Sequence, residues 1–258
     1  MKNIDKYAYY SQLRFINPQQ KVLFVLITLG ICLFADSILL FVVITLFMGY
    51  LTVCKGKTPL LLFCKLMCIP LTFLVLSIIA VIFQITKQED LLIYSFSLGS
   101  IHIGVTTASL LSGKILFFKV LASVSCLYTL CLSTPMTDIF MVLEHIKCPS
   151  FLIEIMSLIY RFIFILIDTA YTMQNAQASR LGYRSFRTSL KSLGLLFSTL
   201  LIRSLKINDN LYIALESRGY HNNLKVLNDT AYYTISYFKI LGTTLLFIIL
   251  LLCDKWLF

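Results

Sequence analysis

Long apolar stretches separated by short polar breaks fill the first half of the chain. Apolar residues run through 21–34 and 38–53, on either side of a break at Asp36, and again through 64–83 and 104–133. As one helix, the first two stretches would reach about 50 Å, well beyond a hydrocarbon core of roughly 30 Å. We therefore predict two short membrane spans joined by a turn at Asp36, followed by two longer spans.

Polar segments and prolines mark the ends of these predicted spans. Residues 86–100 form a polar excursion whose acidic bias suits the non-cytoplasmic side of a membrane. Pro70 predicts a kink within the third span. Thr134-Pro135 ends the fourth span, and Asp138 offers an N-cap for the helix that follows. A last apolar stretch, within 231–258, supplies a fifth span.

The region 138–230 has a different, amphipathic pattern. A first helix is predicted from Pro149 towards Arg180. Apolar residues three and four positions apart predict a second helix over 186–201. Residues 208–218 predict a short third helix, which ends at a glycine suited to the C′ position.

A polar stripe, which we define as Glu154, Arg161, Asp168 and Asn175, recurs every seven residues along the first of these helices. Residues at this spacing lie on one helix face. Three ionisable residues would make a lipid-embedded span costly, so we place this helix at the cytoplasmic membrane face. An i,i+7 separation is about 10 Å, and the charges are therefore expected to pair with neighbouring elements.

The composition places the chain among integral membrane proteins. Hydrophobic residues make up 59% of the 258 residues and charged residues 13%, with a mean hydropathy of +0.87. Soluble domains average roughly 45–50% and 25%. The net charge of +10 comes from Lys and Arg that fall mostly between apolar runs, as expected at a cytoplasmic membrane surface. No basic face interleaved with aromatic residues is apparent, so we do not expect nucleic-acid binding.

Sequence motifs for catalysis, ATP binding and metal coordination are not apparent. The three histidines are isolated, there is no Walker A loop, and the eight cysteines form no C-x-x-C pair. Glu144-His145 with Cys148 could be a metal cluster, but a solvated helix end before Pro149 is the simpler interpretation. We expect no catalytic residue, no cofactor and no bound metal, and predict that the chain is not an enzyme.

Two short polar segments stand out from this background. Ala178-Ser179-Arg180-Leu181-Gly182 and Glu216-Ser217-Arg218-Gly219-Tyr220 each place an arginine near a glycine, and the arginines are 38 residues apart. One interpretation is a pair of basic helix ends stabilised by the helix dipole. The other is docking, with each guanidinium making bidentate bonds to a carboxylate of a partner. The shared pattern is less well explained by the first interpretation, but the local sequence leaves both open.

Further short motifs are spread along the chain in a fixed order. They are Ile4-Asp5, Ala8-Tyr9, Pro18, Lys21, Thr134-Pro135, Asp138, Pro149, Tyr160-Arg161, Ala176-Gln177-Ala178-Ser179-Arg180, Arg203-Ser204 and Ala214-Leu215-Glu216-Ser217-Arg218-Gly219-Tyr220. Over essentially its whole length, the chain resembles the transmembrane T component of energy-coupling factor (ECF) transporters, in the cobalt/nickel branch, CbiQ. The family pattern is Ala-Arg-Gly-like at the ends of two coupling helices. Here Ser179 and Ser217 replace the alanine, and Leu181 intervenes before Gly182.

The resemblance implies a role and a set of partners. Arg180 and Arg218 would insert into grooves on two ATP-binding-cassette (ABC) ATPase subunits. ATP-driven rearrangement would then pass through the coupling helices to a separate metal-binding capture subunit in the lipid bilayer.

Neighbouring residues would support this docking. Ser179 and Ser217, with Gly182 and Gly219, would let the ATPase backbone approach closely. Glu216 would orient Arg218. The three charged residues of the polar stripe, Glu154, Arg161 and Asp168, would hold the coupling helices to the membrane core.

We therefore predict an all-α, polytopic cell-membrane protein with about five transmembrane helices. Residues 1–137 form the N-terminal spans, 138–230 a cytoplasmic coupling domain with both arginine motifs, and 231–258 a C-terminal span. The implied function is that of the coupling permease subunit in ATP-driven cobalt uptake for cobalamin biosynthesis. The alternatives are the same role for nickel or a vitamin, a self-sufficient secondary transporter with two related halves, and a polytopic membrane enzyme with clustered catalytic side chains.

Overall fold

The computed structural model of the protein describes residues 2–86, 94–98, 101–219, 232, 233, 242 and 244. Contacts divide the chain into two units, Met1–Ile139 with Thr230–Phe258 and Phe140–Asp229. These bounds lie close to the predicted borders at 137/138 and 230/231, and the cytoplasmic location of the second unit stays a prediction. The predicted C-terminal span lies outside the described residues, apart from 232, 233, 242 and 244.

Helices account for nearly all the regular structure of the described residues. They are α1 Lys2–Tyr10, α2 Pro18–Phe34, α3 Ile38–Tyr50, α4 Leu60–Ile82, α5 Thr107–Ser133, α6 Met136–His145, α7 Ser150–Ser179 and α8 Phe186–Ser217. A 3-10 turn at Gln12–Phe15 precedes α2, and α3 continues into a π-helical turn at Leu51–Lys55.

Four of these helical segments are long and apolar enough to cross a membrane. They are Ile38–Lys55, Leu60–Ile82, Thr107–Ser133 and Ser150–Ser179, and the apolar α2 is shorter, at 17 residues. The first three, with α2, correspond to the four predicted N-terminal spans. Ser150–Ser179 meets the same criteria, although its polar stripe led us to place it at the membrane face. Together these helices confirm an all-α, multi-pass membrane protein.

A small antiparallel sheet between α4 and α5 was not predicted. Its strands are β1 Phe83–Thr86, β2 Tyr94–Leu98 and β3 Ile101–Val105, in the order β1-β3-β2. The sequence signal for β2 is the alternation of Tyr94, Phe96 and Leu98 with two serines, which is typical of a strand. Five residues are too few for that alternation to outweigh the polar character of the region as a whole.

The core of the first unit lies among α2, α3 and α5. Leu40, Phe41, Ile44 and Met48 of α3 are fully buried at helical spacing, in a cluster with residues of α2 and α5 such as Cys126. Residues three and four positions apart on a helix share a face, so one side of α3 packs inwards. The cysteines of this core fill space as small apolar side chains.

The turn predicted at Asp36 is present. Helix α2 ends at Phe34, and the Ser37 side chain caps α3 by accepting from the Leu40 amide. The Asp36 carboxylate lies 3.4 Å from the ammonium of Lys119 in α5. This ion pair gives a partner to a lysine that lies inside a long apolar helix.

A hydroxyl group from α5 replaces the hydrogen-bond donor that Pro70 removes from α4. Proline has no amide hydrogen, so the Leu66 carbonyl four residues earlier loses its usual helical donor. The Tyr128 hydroxyl donates to that carbonyl instead, at 3.1 Å. Helix α4 therefore continues through Pro70 with this carbonyl satisfied.

Replacing Tyr128 by phenylalanine should destabilise the membrane unit. The Leu66 carbonyl would be left without a donor, which costs about 1–3 kcal/mol when the group is buried. We expect Tyr128→Phe to lower the thermal midpoint in detergent, and Tyr50→Phe, at an exposed tyrosine of α3, to leave it unchanged. Equal midpoints for Tyr128→Phe and wild type would show that water or lipid headgroups satisfy this carbonyl.

The end of the second unit corrects one prediction. Separate helices were predicted over 186–201 and 208–218, but α8 runs unbroken through Phe186–Ser217. Asn208-Asp209-Asn210 is typical of caps and turns, yet no proline or glycine interrupts the junction. Packing of one stripe of side chains outweighs this local preference. The stripe, three and four residues apart, is Leu196, Leu200, Ser204, Ile207, Leu211 and Leu215, of which Leu196 is buried and the rest are half-buried.

Candidate functional site

Arg180 is the C-cap residue of α7, within a Schellman turn. The Leu181 amide donates to the Ala178 carbonyl at 3.0 Å, and the Gly182 amide donates to the Gln177 carbonyl at 2.8 Å. These two bonds satisfy carbonyls that every helix C-terminus otherwise leaves unpaired. The residue after the cap, Leu181, has a φ of 59°, in the left-handed region.

Arg218 ends α8 in the same backbone geometry. Its φ and ψ are −94° and 9°, compared with −96° and 18° for Arg180. The Gly219 amide donates to the Glu216 carbonyl at 3.0 Å, and Gly219 has a φ of 72°. The two arginines thus share one C-cap geometry, with Leu181 at the position of Gly219.

The glycines of the two motifs serve different physical purposes. Gly219 is required by its backbone angle, because only glycine adopts positive φ without steric cost, and a Cβ there would meet nothing within 4 Å. Gly182 is required by close packing, since a Cβ would lie 2.7 Å from Ser192 Oγ and 2.8 Å from the Gln177 carbonyl oxygen. Sequence alone did not distinguish these two roles.

A polar network fixes the first motif onto α8. Gln177 Nε2 donates to the Ser192 carbonyl at 3.0 Å, and Ser192 Oγ donates to the Gly182 carbonyl at 2.9 Å. The Tyr183 hydroxyl donates to Gln177 Oε1 at 2.7 Å. The start of α8 is itself fixed by a capping box between Ser185 and Thr188. We call Gln177, Gly182, Tyr183 and Ser192 the turn network.

Exchanging each motif glycine for alanine should separate these two roles. Gly182→Ala forces the turn network apart because the Gln177 carbonyl oxygen lies in the way, and we expect a loss of about 3 kcal/mol of local stability, the upper end of the usual range for overpacking. Gly219→Ala should cost only about 1–2 kcal/mol, the usual penalty for left-handed backbone. Hydrogen exchange of the amides around each motif measures both effects. Equal losses of protection would show that the Ser192 contact does not constrain the turn.

The serines of the motifs turn back onto their own helices. Ser179 Oγ donates to the Asn175 carbonyl and Ser217 Oγ to the Ala214 carbonyl, both at 3.0 Å. Each hydroxyl therefore satisfies a carbonyl of the last helical turn. This leaves the arginine as the protruding polar group of each motif.

Both arginines are exposed, and within the described part of the chain neither guanidinium makes a hydrogen bond or an ion pair. Each sits where a helix C-terminus carries a partial negative charge that a cation offsets. The guanidinium remains available, with five N–H donors in a planar fork. This arrangement can bind a carboxylate bidentately.

Helix α8 separates the two motifs. Arg180 lies five residues before the N-cap of α8 at Ser185, and Arg218 lies at the other end of that helix. The 32 residues of α8 correspond to about 48 Å at 1.5 Å per residue. The two guanidinium groups therefore belong to two distinct sites.

The remaining predicted residues are not drawn into either motif. Glu216 is exposed, and residues two positions apart on a helix point in nearly opposite directions, so the structure does not bring its carboxylate to Arg218. In the polar stripe of α7, Glu154 is half-buried and Arg161 and Asp168 are exposed. The role of the stripe in holding the coupling helices stays a prediction.

A buried polar cluster at one end of the first unit was missed as a group. Lys21 Nζ donates to the carbonyls of Leu13 (3.1 Å) and Ser133 (3.2 Å), and so joins the start of α2 to the end of α5. Asp138 is only 2% exposed and accepts from the Tyr232 hydroxyl at 3.3 Å. Several motifs of the family resemblance thus serve to close this end of the bundle.

Comparisons with known proteins place the chain in a family. Residues 10–230 match the family model of the cobalt transport protein CbiQ. The chain belongs to the CbiQ family. It is 31% identical over 232 residues to the cobalt transport protein CbiQ of Salmonella typhimurium, covering 86% of the chain and 100% of that protein. An uncharacterized protein of Methanocaldococcus jannaschii is 31% identical over 250 residues, covering 96% of the chain and 91% of that protein.

A third relative differs in its organisation. The putative fused cobalt transport protein CbiMQ of Methanocorpusculum labreanum is 33% identical over 219 residues, covering 84% of the chain but only 36% of the fused protein. The predicted family is therefore confirmed. The chain is a multi-pass membrane protein of the CbiQ cobalt transport family.

Proposed function

We propose that the chain is the non-catalytic coupling subunit of an ATP-driven, ECF-type cobalt uptake transporter in the cell membrane. In this role it transmits the motion of two ABC-type ATPase subunits to a separate, metal-binding capture subunit. The observation that carries the proposal is the pair of exposed arginines in matching C-cap geometry at Arg180 and Arg218.

The spacing of the arginines favours two docking sites over one. The first motif is fixed at Ser192, and Arg218 lies 26 residues further along the chain. At 1.5 Å per residue this is about 39 Å, which exceeds the roughly 30 Å diameter of a small domain. A single groove therefore cannot hold both guanidinium groups. Two ATPase subunits, each with an acidic groove, match two arginines at this distance. We call Arg180 and Arg218, each at its helix end, the two prongs.

The chemistry of each prong suits an acidic groove. A guanidinium can bind a carboxylate through two parallel hydrogen bonds, a geometry that lysine does not provide. The Schellman turn holds the backbone around Arg180 in place, and the turn network anchors it on α8. Less conformational entropy is then lost when the arginine binds.

Helix α8 supplies a path for movement between the prongs. Because it is one uninterrupted helix, displacement of either end is passed along its length. Shear of packed helices is a common mode of conformational change. We infer that separation or closure of the ATPases tilts α7 and α8, and that this tilt changes the site of the capture subunit.

A separate capture subunit is supported by one of the relatives. Among the described residues, no group of three or more His, Cys, Asp or Glu side chains could hold a metal ion. The name of the fused relative joins a CbiM part to a CbiQ part in one chain, which supports a membrane partner of that kind here. Cobalt is the substrate that the family favours, and nickel or a vitamin would require a different capture subunit with the same coupling role.

Uptake of radioactive cobalt in cells that express chosen subunits tests the proposal. Cells with the chain, the capture subunit and the ATPases should accumulate cobalt, and omission of either the ATPases or this chain should abolish accumulation. A hydrolysis-deficient ATPase is the matched control, because it keeps the complex assembled. Cobalt uptake by the chain alone would establish a self-sufficient secondary transporter instead.

A further inference from the structure

The two motifs carry different residues directly after the arginine. Gly219 occupies this position in the second motif, with φ of 72°, and Leu181 occupies it in the first, with φ of 59°. A left-handed backbone is unfavourable for a leucine, whose Cβ approaches the carbonyl oxygen. Glycine would be the unstrained choice at both positions.

The leucine side chain does not stabilise the turn that holds it. Leu181 is 66% exposed, and the bonds that fix the turn involve its backbone and its neighbours, not its side chain. They are the backbone bonds to Ala178 and Gln177 and the contacts of Ser192 with Gly182. The surrounding structure therefore imposes the strained angle, and an imposed strain of this kind is characteristic of functional positions.

We propose that Leu181 is an apolar docking residue that enters a hydrophobic depression of the ATPase beside the groove that binds Arg180. The inference rests on the proposed function and names one further contact of the same site. It follows that the two prongs are unequal, because the second motif has Gly219 at this position and presents no side chain. The first motif combines a charge-assisted bond with apolar burial, a combination typical of interface hot spots.

Binding of the purified ATPases to the full-length chain in detergent tests this contact. Leu181→Gly should weaken binding about tenfold, which corresponds to ~1.4 kcal/mol, because most of a leucine side chain loses its burial. Its thermal midpoint should be equal to or higher than that of wild type, since the strained angle is relieved. Leu181→Met, which keeps the apolar volume, should bind within about threefold of wild type.

Two further variants exclude trivial explanations. Asparagine is polar and tolerates left-handed backbone without adding the flexibility of glycine. Leu181→Asn should therefore lose as much affinity as Leu181→Gly if the loss comes from the missing apolar contact. Leu195→Ala removes a leucine of α8 with a similar exposure of 57% and should bind as wild type.

The possible outcomes are distinguishable. Wild-type affinity of Leu181→Gly or of Leu181→Asn overturns the apolar contact. If charge reversal at Arg180 and Arg218 also leaves binding intact, the proposed function itself fails. If charge reversal abolishes binding while the Leu181 variants bind normally, only the present inference fails.

Discussion

Reversing both motif charges, by Arg180→Glu together with Arg218→Glu, is expected to abolish ATPase capture and cobalt uptake. Each arginine is exposed and makes no ion pair within the described residues, so we expect the variant to fold. Breaking a desolvated interface charge pair costs about 2–5 kcal/mol. Loss of both therefore weakens binding by roughly a thousandfold or more. Co-purification of the ATPases with a tagged chain measures the effect.

A matched control keeps the same change of net charge. Lys147→Glu with Lys206→Glu reverses two exposed cations outside both motifs. We expect this variant to capture the ATPases and to transport cobalt. Normal capture of the ATPases by the Arg180/Arg218 variant would show that the two arginines are ordinary basic helix ends without a docking role.

The second large effect is expected from Ile202→Pro, which interrupts α8. Ile202 is 64% exposed, so its side chain contributes little to packing. Proline removes the hydrogen bond to the Ser198 carbonyl and clashes with it, at a cost of about 3 kcal/mol or more, and bends the helix. Under the proposed function, the two prongs would then no longer engage both ATPase subunits at their native spacing.

Transport should be affected more than assembly in this variant. We expect Ile202→Pro to abolish cobalt uptake. A complex held by a single prong should still form, but with lower affinity, because simultaneous binding of both prongs supplies much of the avidity. Ile202→Ala, which keeps α8 intact, is the control, and immunoblots establish equal amounts in the membrane. Full uptake by Ile202→Pro would show that α8 does not act as one rigid element.

The membrane part of the fold could be predicted from hydropathy because few structures satisfy a long apolar segment. A spanning helix satisfies all its backbone groups internally, so apolar runs such as 104–133 translate directly into helices. The break at Asp36 was also predictable, since one helix over both flanking stretches would be longer than the hydrocarbon core is thick. The Tyr128 bond to Leu66 was out of reach, because it joins residues 62 positions apart.

The positions of the helices in the second unit were predicted better than their number. Asn208-Asp209-Asn210 has a local preference for caps, and only packing along the stripe that ends at Leu215 extends α8 through it. Local preference is a weak guide wherever tertiary packing decides.

The candidate site was predictable as far as its chemistry is local. The arginines and the C′ role of Gly219 follow from residues adjacent in sequence. The tight contact at Gly182 depends on Ser192, ten residues further along the chain, so no local pattern indicates it. As a result the motifs differ in sequence but coincide in geometry.

Photo-crosslinking at the two motifs tests the central claim most directly. A photoreactive amino acid is placed at Ser179 or Ser217, which are exposed beside the arginines, with Ile202 as a control position in mid-helix. We predict that both motif positions crosslink to an ATPase subunit in native membranes and that position 202 does not. Absence of ATPase crosslinks from both 179 and 217, in cells that transport cobalt, would contradict the two-pronged docking of this chain.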